Sequence, residues 1–318
     1  MRMGDVIGLV WNPSKVEEDE LSTALTEAVS ETGYTPDEVH WFPTTVENAG
    51  QDAAGDAIGA GCTVVVAAGG DGTVRAVVER LTAEEDGPEF GIIPLGTGNL
   101  FARNLDVPLN DPKQAFARVL ERRARPIDIG ELVLELETGS ERHAFTVMAG
   151  FGIDAQMIAE TDDELKARAG WLAYVESLGR AFQNSDPVDL IISTDEGEEV
   201  SDRGHTLLIA NCGTLQGGAA LLPDALIDDG LLDLMLLRAE GVVGWLDTLR
   251  NLVWDNGVMR KIRSEDSEAQ SSDTIHLHQA KSARVTMARP VLFEIDGEEI
   301  GEVTGFTARV LPGALQMR

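Results

Sequence analysis

The sequence predicts an α/β protein in two parts, a parallel-sheet nucleotide-binding domain over residues 1–125 and a β-rich, sandwich-like domain over residues 126–318. Three observations predict it. Strand and helix patterns alternate through the first part, which implies a parallel sheet with right-handed crossovers. Strand-like segments separated by turn residues dominate the second part, as in an antiparallel sandwich or folded sheet. Two apolar strands of the first part also run directly into glycine-rich turns, "GGDGT" at 69–73 and "GTGN" at 96–99.

In the first part, "DVIGLVWNPS" reads as a strand ending in a polar turn, and residues 18–32 read as a helix. "EVHWFPTT" is a second strand, and residues 47–60 carry an alanine-rich helix. "CTVVVAAGGDGT" is the third strand with its turn, and its fully apolar, β-branched run suits a parallel sheet covered on both faces. After Thr73, apolar Val74, Val77, Val78 and Leu81 recur at helical intervals. "EFGIIPLGTGNLFARNL" repeats the theme, with a short helix from about Asn99. The functional rim of such a sheet lies at the carboxyl ends of its strands. The loop of Asn12, Ser14 and Lys15, the pair Thr44 and Thr45, and the two glycine turns are therefore expected neighbours.

In the second part, "IDIGELVLELE", "HAFTVMAGFGI", "VDLIISTD", "HTLLIANCG", "LLDLMLLR", "IHLHQAKSARVTM", "VLFEIDGE" and "GFTARVLP" are strand-like. Only residues 160–183 and 242–262 carry helical spacing, and 264–273 reads as a polar loop. An exposed edge strand in this part would allow isologous pairing into a homodimer.

Composition narrows the partners. The net charge is −30 over 318 residues, with the acids spread along the chain, so nucleic acid is disfavoured and approach to an anionic bilayer is weakened. No run of about 18 apolar residues predicts a membrane-spanning helix. Cys62 and Cys212 sit in apolar runs and read as reduced core residues of a cytoplasmic protein.

The glycine turns carry the chemistry. Glycines allow backbone N–H groups to approach a ligand, and the helix N-terminus beyond them favours an anion. A carboxylate among those donors, Asp71, points to a phosphate accompanied by a metal ion, the combination a nucleotide with Mg²⁺ would supply. A tight turn without a ligand is the alternative. The Gly-Lys-Ser/Thr of a Walker loop, the spacing of a dinucleotide G-x-G-x-x-G and the G-x-S-x-G nucleophile elbow are all missing. His276 and His278 alternate along a strand without the neighbours a zinc site needs.

With "GGDGT" at 69–73 and "PLGTGNLFARNL" at 94–105, the sequence resembles the diacylglycerol kinase catalytic domain of bacterial soluble lipid kinases, a family that includes sphingosine and ceramide kinases. "NPSK", "TTVEN", "LKARAGWLAYV", "NCGTLQGG", "IDDGLLDL" and "EIDGEEIG" extend the resemblance over most of the chain. It implies an α/β nucleotide domain followed by a β-sandwich domain, an active site in the cleft between them, and final residues that pack back on the first domain. It places ATP on Asn12, Ser14, Lys15, Thr45, Gly69, Gly70, Asp71, Gly72, Thr73, Val74, Arg75, Gly96, Thr97 and Asn99, with Asp71 as the acidic member of the nucleotide and Mg²⁺ site. It makes Asp229 the side-chain ligand of a structural Mg²⁺, with the carbonyls of Leu226 and Leu231, although an Asp-Gly β-turn explains the same residues. Glu298 matches the family's proton acceptor and Asp296 a supporting acid, within a segment that also reads as an acidic hairpin turn.

Two positions depart from the family pattern. The first loop, N-P-S-K, is shorter than the usual Asn-Pro-x-Ser-Gly-Lys-like loop, and Leu100 stands where many members carry aspartate. Lys166 is a candidate cation near the phosphates. The implied activity is transfer of the ATP γ-phosphate to a lipid hydroxyl, most directly that of diacylglycerol, by an enzyme that meets the inner membrane face transiently, with the segment "GWLAYVESL" as a candidate contact. The alternatives are a kinase of a sphingoid base, NAD or a small polyol, and a nucleotide-binding sensor without catalysis.

Overall fold

In the computed structural model the described residues are 4–84, 86–121, 123–152, 186–195, 197, 199–214, 221–222, 224–238 and 275–318. The helices expected over 160–183 and 242–262, Lys166, the loop 264–273 and most of "GTLQGG" lie outside them. The chain divides into two units, Met1–Ile129 with Pro312–Arg318, and Gly130–Leu311.

The first unit is built on the parallel strands β1 (Val6–Trp11), β2 (Glu38–Pro43), β3 (Val64–Gly69) and β4 (Glu89–Pro94), in the order β2-β1-β3-β4. Every residue of β3 is buried, as expected for a central strand covered on both faces. The helices are α1 (Glu18–Thr32), α2 (Gln51–Gly59), α3 (Asp71–Leu81), the short α4 (Leu100–Asn104) and α5 (Pro112–Glu121). Two glycines let helices close on the sheet. A Cβ on Gly8 would fall 2.8 Å from Ala57 in α2, and one on Gly91 would fall 2.7 Å from Val119 in α5. By strand register Gly8 and Gly91 face opposite sides, so α2 and α5 cover opposite faces of the sheet.

Sequence periodicity places most of these elements, with three differences. Helix α2 runs over Gln51–Gly59 where 47–60 is expected. Helix α3 begins at Asp71, two residues before Thr73, with extended Gly70 as its N-cap. Helix α5 was not expected. Its signals are Asp111, whose Oδ1 accepts the Gln114 N–H at 3.0 Å, Pro112 at the first helical position, and buried Ala115, Phe116, Val119 and Leu120.

The second unit contains β5 (Arg125–Leu136, entering from the first unit), β6 (Gly139–Phe145), β7 (Met148–Phe151), β8 (Val188–Thr194), β9 (Glu199–Gly204), β10 (Thr206–Ala210), β11 (Leu232–Leu237), β12 (Ile275–Ala280), β13 (Ser282–Ile295) and β14 (Glu298–Met317). Strands β12, β11, β10, β7 and β13 pair antiparallel in that order, and β13 also pairs antiparallel with β8 and β14. Their inward residues form one core in which the rings of Phe293 and Phe306 pack at a tilt, with centroids 5.0 Å apart. "HAFTVMAGFGI" is interrupted at Thr146 and Val147 to give β6 and β7, and "IHLHQAKSARVTM" breaks at Lys281. Strand β13 runs through Pro290, where its register with β14 shifts between Thr286 and Val291. Strand β9 is not expected from the sequence because "EVSDRG" has no apolar alternation; four of its six residues are exposed, as suits a strand that pairs only with β8 among the described residues.

The last residues of β14 belong to the first unit, where Met317 pairs in parallel with Phe90. Buried Arg318 clamps the amino ends of β1 and β4. Its guanidinium grips Asp5 through Nη1 at 2.6 Å and Nη2 at 3.0 Å, and also pairs with Glu89. Tyr34 donates its hydroxyl to the same Asp5 carboxylate at 2.7 Å. No helix among the described residues is long and apolar enough to cross a membrane.

Candidate active site

The glycine turns sit at the carboxyl ends of β3 and β4, which pair in register up to Gly69 and Pro94. The Leu95 N–H donates to the Gly69 carbonyl at 2.8 Å, bringing the turns together. A Cβ on Gly96 would come 2.7 Å from the Cα of Gly70, and one on Gly98 would come 2.9 Å from Asp71 Oδ2. These glycines are therefore required by the packing of one turn against the other, a demand independent of any ligand.

Asp71 joins the turns chemically. Its Oδ2 accepts the Asn99 N–H at 2.8 Å and its Oδ1 accepts the Leu100 N–H at 2.6 Å, so it caps α4 from a distant part of the chain. Burial pushes its carboxyl above the usual range, while the Leu100 and Asn99 amides pull the other way. A metal ion is not needed to explain this carboxylate among N–H groups. Asn99 is buried and left-handed at φ 47°, and its side chain staples its own turn. Its Oδ1 accepts the Gly96 N–H at 2.9 Å and its Nδ2 donates to the Gly96 carbonyl at 2.7 Å. Leu100, the family departure, contributes through its backbone amide. Thr97 is exposed at the tip, Thr73 is buried, and Val74 faces the core of α3 while Arg75 is half-buried.

The neighbouring rim loops are fixed by their own polar side chains. Asn12 Oδ1 accepts the Ser14 N–H at 2.9 Å and the Ser14 hydroxyl at 2.7 Å, and the Lys15 N–H donates to the Asn12 carbonyl at 3.0 Å. The short N-P-S-K loop is thus a self-contained Asx turn. The Thr45 hydroxyl accepts the Asn48 N–H at 3.1 Å, and Asn48 Oδ1 in turn accepts the N–H groups of Gly50 and Asp52, capping α2. Asn48 was not among the expected site residues; an Asn shortly before an alanine-rich helix is the signal for it.

In the second unit, "EIDGEEI" is a two-residue hairpin. Ile295 pairs with Glu298 across Asp296 and Gly297, whose φ values of 49° and 86° match a type I′ turn. Buried Asp296 accepts four hydrogen bonds. Oδ2 takes the Thr146 N–H at 2.8 Å and hydroxyl at 2.9 Å, and Oδ1 takes the Val147 N–H at 2.8 Å and the Met148 N–H at 3.0 Å. This carboxylate clamps the β6–β7 connection. Glu298 follows the turn and is exposed, as is Glu299.

In the loop before β11, Asp229 Oδ1 accepts the Leu231 N–H at 3.0 Å across left-handed Gly230, and both Leu226 and Asp229 are exposed. Burial pushes the nearby Asp233 carboxyl up to about 6, with the charges of Asp229 and Asp224 adding to the rise. Among the described residues no three His, Cys, Asp or Glu side chains gather as a metal site. A cation here would rest on one carboxylate and backbone carbonyls, an all-oxygen set that fits Mg²⁺ in a locally negative field.

Comparison with known proteins agrees with this architecture. Residues 8–132 match the diacylglycerol kinase catalytic domain, and residues 147–318 match the YegS C-terminal NAD kinase beta sandwich-like domain. A protein of Stenotrophomonas maltophilia named "Probable lipid kinase YegS-like" is 32% identical over 269 residues, covering 82% of this chain and 80% of the relative. A protein of the same name from Xanthomonas euvesicatoria is 38% identical over 189 residues, and the match spans 59% of that relative's length and 58% of this chain. The crystal structure of a diacylglycerol kinase from Bacillus anthracis superposes with a TM-score of 0.68 at 20% identity, covering 100% of this chain and 97% of the other, a likeness of fold. With a diacylglycerol kinase catalytic domain followed by a YegS-type β-sandwich domain, and a relative similar over most of both chains, the protein belongs to the YegS-like lipid kinase family.

Proposed function

We propose that the protein is an ATP-dependent lipid kinase that transfers the γ-phosphate to a lipid hydroxyl, with diacylglycerol as acceptor and phosphatidic acid as product. The observation that carries this reading is the pair of interlocked glycine turns at the carboxyl ends of β3 and β4, in a chain of this family. The α3 N-terminus and the turn backbone supply N–H donors for phosphate oxygens, and the exposed Thr45, Ser14, Lys15 and Thr97 border the same rim.

Phosphoryl transfer asks a protein mainly for positioning, charge neutralisation and a base near the acceptor. The acceptor oxygen bonds to the γ-phosphorus as the bond to the β,γ-bridging oxygen breaks, and the hydroxyl proton passes to Glu298. Asp71 acts by holding the second turn against the first. Mg²⁺ would neutralise phosphate charge when bound, and Asp229 with the Leu226 and Leu231 carbonyls would hold a second, structural Mg²⁺. The large negative charge opposes tight docking, so contact with the acceptor-bearing membrane is transient and peripheral.

Incubation with ATP and vesicles containing diacylglycerol, against parallel incubations with a sphingoid base and with NAD, each with and without Mg²⁺, tests the reading. Mg²⁺-dependent phosphatidic acid formation is the expected result. Phosphate transfer to NAD alone overturns it, and ATP binding without turnover on any acceptor replaces the kinase with a nucleotide sensor.

A further inference from the structure

Three segments of the second unit meet in one buried polar knot. The β6–β7 connection, Thr146–Met148, presents its N–H groups to Asp296 at the hairpin turn. Its carbonyls are taken from the other side by the end of β10. Fully buried Asn211 donates Nδ2 to the Thr146 carbonyl at 3.1 Å and its backbone N–H to the Val147 carbonyl at 2.8 Å. Cys212 adds its thiol on the Thr146 carbonyl at 3.2 Å.

We propose that Asn211 is a positioning residue for the turn that carries Glu298, acting through Thr146 and Asp296. The inference rests on the proposed role of Glu298 as proton acceptor. The tilt of the Thr146–Met148 peptides decides where four donors converge, and those donors fix the Asp296 carboxylate. Asp296 is itself the first residue of the two-residue turn, so fixing its side chain fixes the strand end from which Glu298 projects. An amide suits position 211 because it donates to a carbonyl without adding charge beside Asp296. Burial, and then the Asp296 charge, push the neighbouring Cys212 thiol well above its ordinary value.

The test uses the full-length protein and three variants, Asn211→Asp, Glu298→Gln and the double substitution. Asn211→Asp sets a carboxylate against the Thr146 carbonyl. It is expected to lower kcat about tenfold to a hundredfold at pH 8 with KM for ATP unchanged, the signature of a lost transition-state interaction. Turnover relative to wild type at the same pH should partly return at acid pH, where the introduced carboxyl takes up a proton and can donate again. The double variant should be no slower than Glu298→Gln alone, because residues acting through one another are not additive. Amide hydrogen exchange provides a readout independent of activity, and faster exchange at 146–148 and 296–298 is expected in Asn211→Asp. Unchanged exchange there, or losses that multiply in the double variant, overturns the proposal. Wild-type turnover in Glu298→Gln overturns the base assignment instead, and the exchange data then judge Asn211 alone. Should Asn211→Asp not fold, Thr146→Val, which removes only the hydroxyl donor to Asp296, is expected to show the same pattern at a few-fold scale, and wild-type kcat and exchange in it overturn the proposal.

Discussion

The carboxylate of Asp71 accepts the backbone N–H of Asn99 at 2.8 Å, tying together turns that lie 28 positions apart in sequence. The adjacent Leu100 N–H occupies the other carboxylate oxygen at 2.6 Å. One side chain at the start of α3 thereby organises the start of α4, and the two phosphate-binding candidates become a single rigid unit. The donors that make a carboxylate look misplaced in a glycine turn come from the other glycine turn.

Asp71→Asn tests that unit. An amide has one acceptor oxygen, so either the Asn99 or the Leu100 N–H would face an NH₂ group. The expected cost is about 1–3 kcal/mol of stability, the range for a buried donor left unsatisfied. Turnover should fall on the order of a hundredfold as the second turn shifts. Thermal unfolding and the lipid kinase assay measure the two effects, and a variant with unchanged melting temperature contradicts the clamp.

Gly96→Ala probes the turn-to-turn packing without touching a charge. The new methyl would lie 2.7 Å from the Gly70 Cα and 2.8 Å from Asn99 Oδ1, and backbone cannot swing aside as a flexible side chain can. A loss of about 1–3 kcal/mol, typical of overpacking, is expected together with weaker ATP binding by calorimetry. Gly59→Ala, where nothing lies within 4 Å of the added carbon, serves as the control and should be neutral or slightly stabilising.

Arg318 supports a third prediction, at the opposite end of the sheet. Its bidentate grip on Asp5 and its pairing with Glu89 join the end of β14 to the amino ends of β1 and β4. Arg318→Ala strands partly buried carboxylates and should cost about 3 kcal/mol or more. Arg318→Lys should recover only part of this, because an ammonium cannot reproduce the planar fork. Equal stability of wild type and both variants in urea unfolding contradicts this account.

The sheet of the first unit is legible because β1, β3 and β4 are mostly apolar runs and β3 and β4 end in glycine-rich turns, signals local to a few residues. Helix α5 carries comparable periodicity in "PKQAFARVLE" but opens on Asp-Pro rather than on a glycine turn. Strand β9 holds one apolar side chain, Val200, so no alternation marks it; only its pairing with β8 makes it a strand. The candidate site residues could be located by motif, but what their side chains do could not be read from spacing. Asp71 spends both oxygens on amides 28 and 29 residues away, and Asp296 reaches nearly 150 residues back to Thr146, Val147 and Met148. Partners at that separation are set by tertiary structure, which leaves no mark in a local pattern.

The central claim is that Glu298 accepts the proton of a lipid hydroxyl as that oxygen takes the γ-phosphate, and Glu298→Gln measures it most directly. Glutamine preserves shape and hydrogen bonding at an exposed hairpin position, so folding should be unchanged. Neighbouring Glu299→Gln is the control, since adjacent strand residues point to opposite faces. With Mg-ATP and diacylglycerol vesicles, turnover of Glu298→Gln is predicted to fall by about two to four orders of magnitude, the range for a lost general base, with ATP affinity intact. Glu299→Gln should stay near wild type. Wild-type turnover in Glu298→Gln, or equal losses in both variants, would contradict the account.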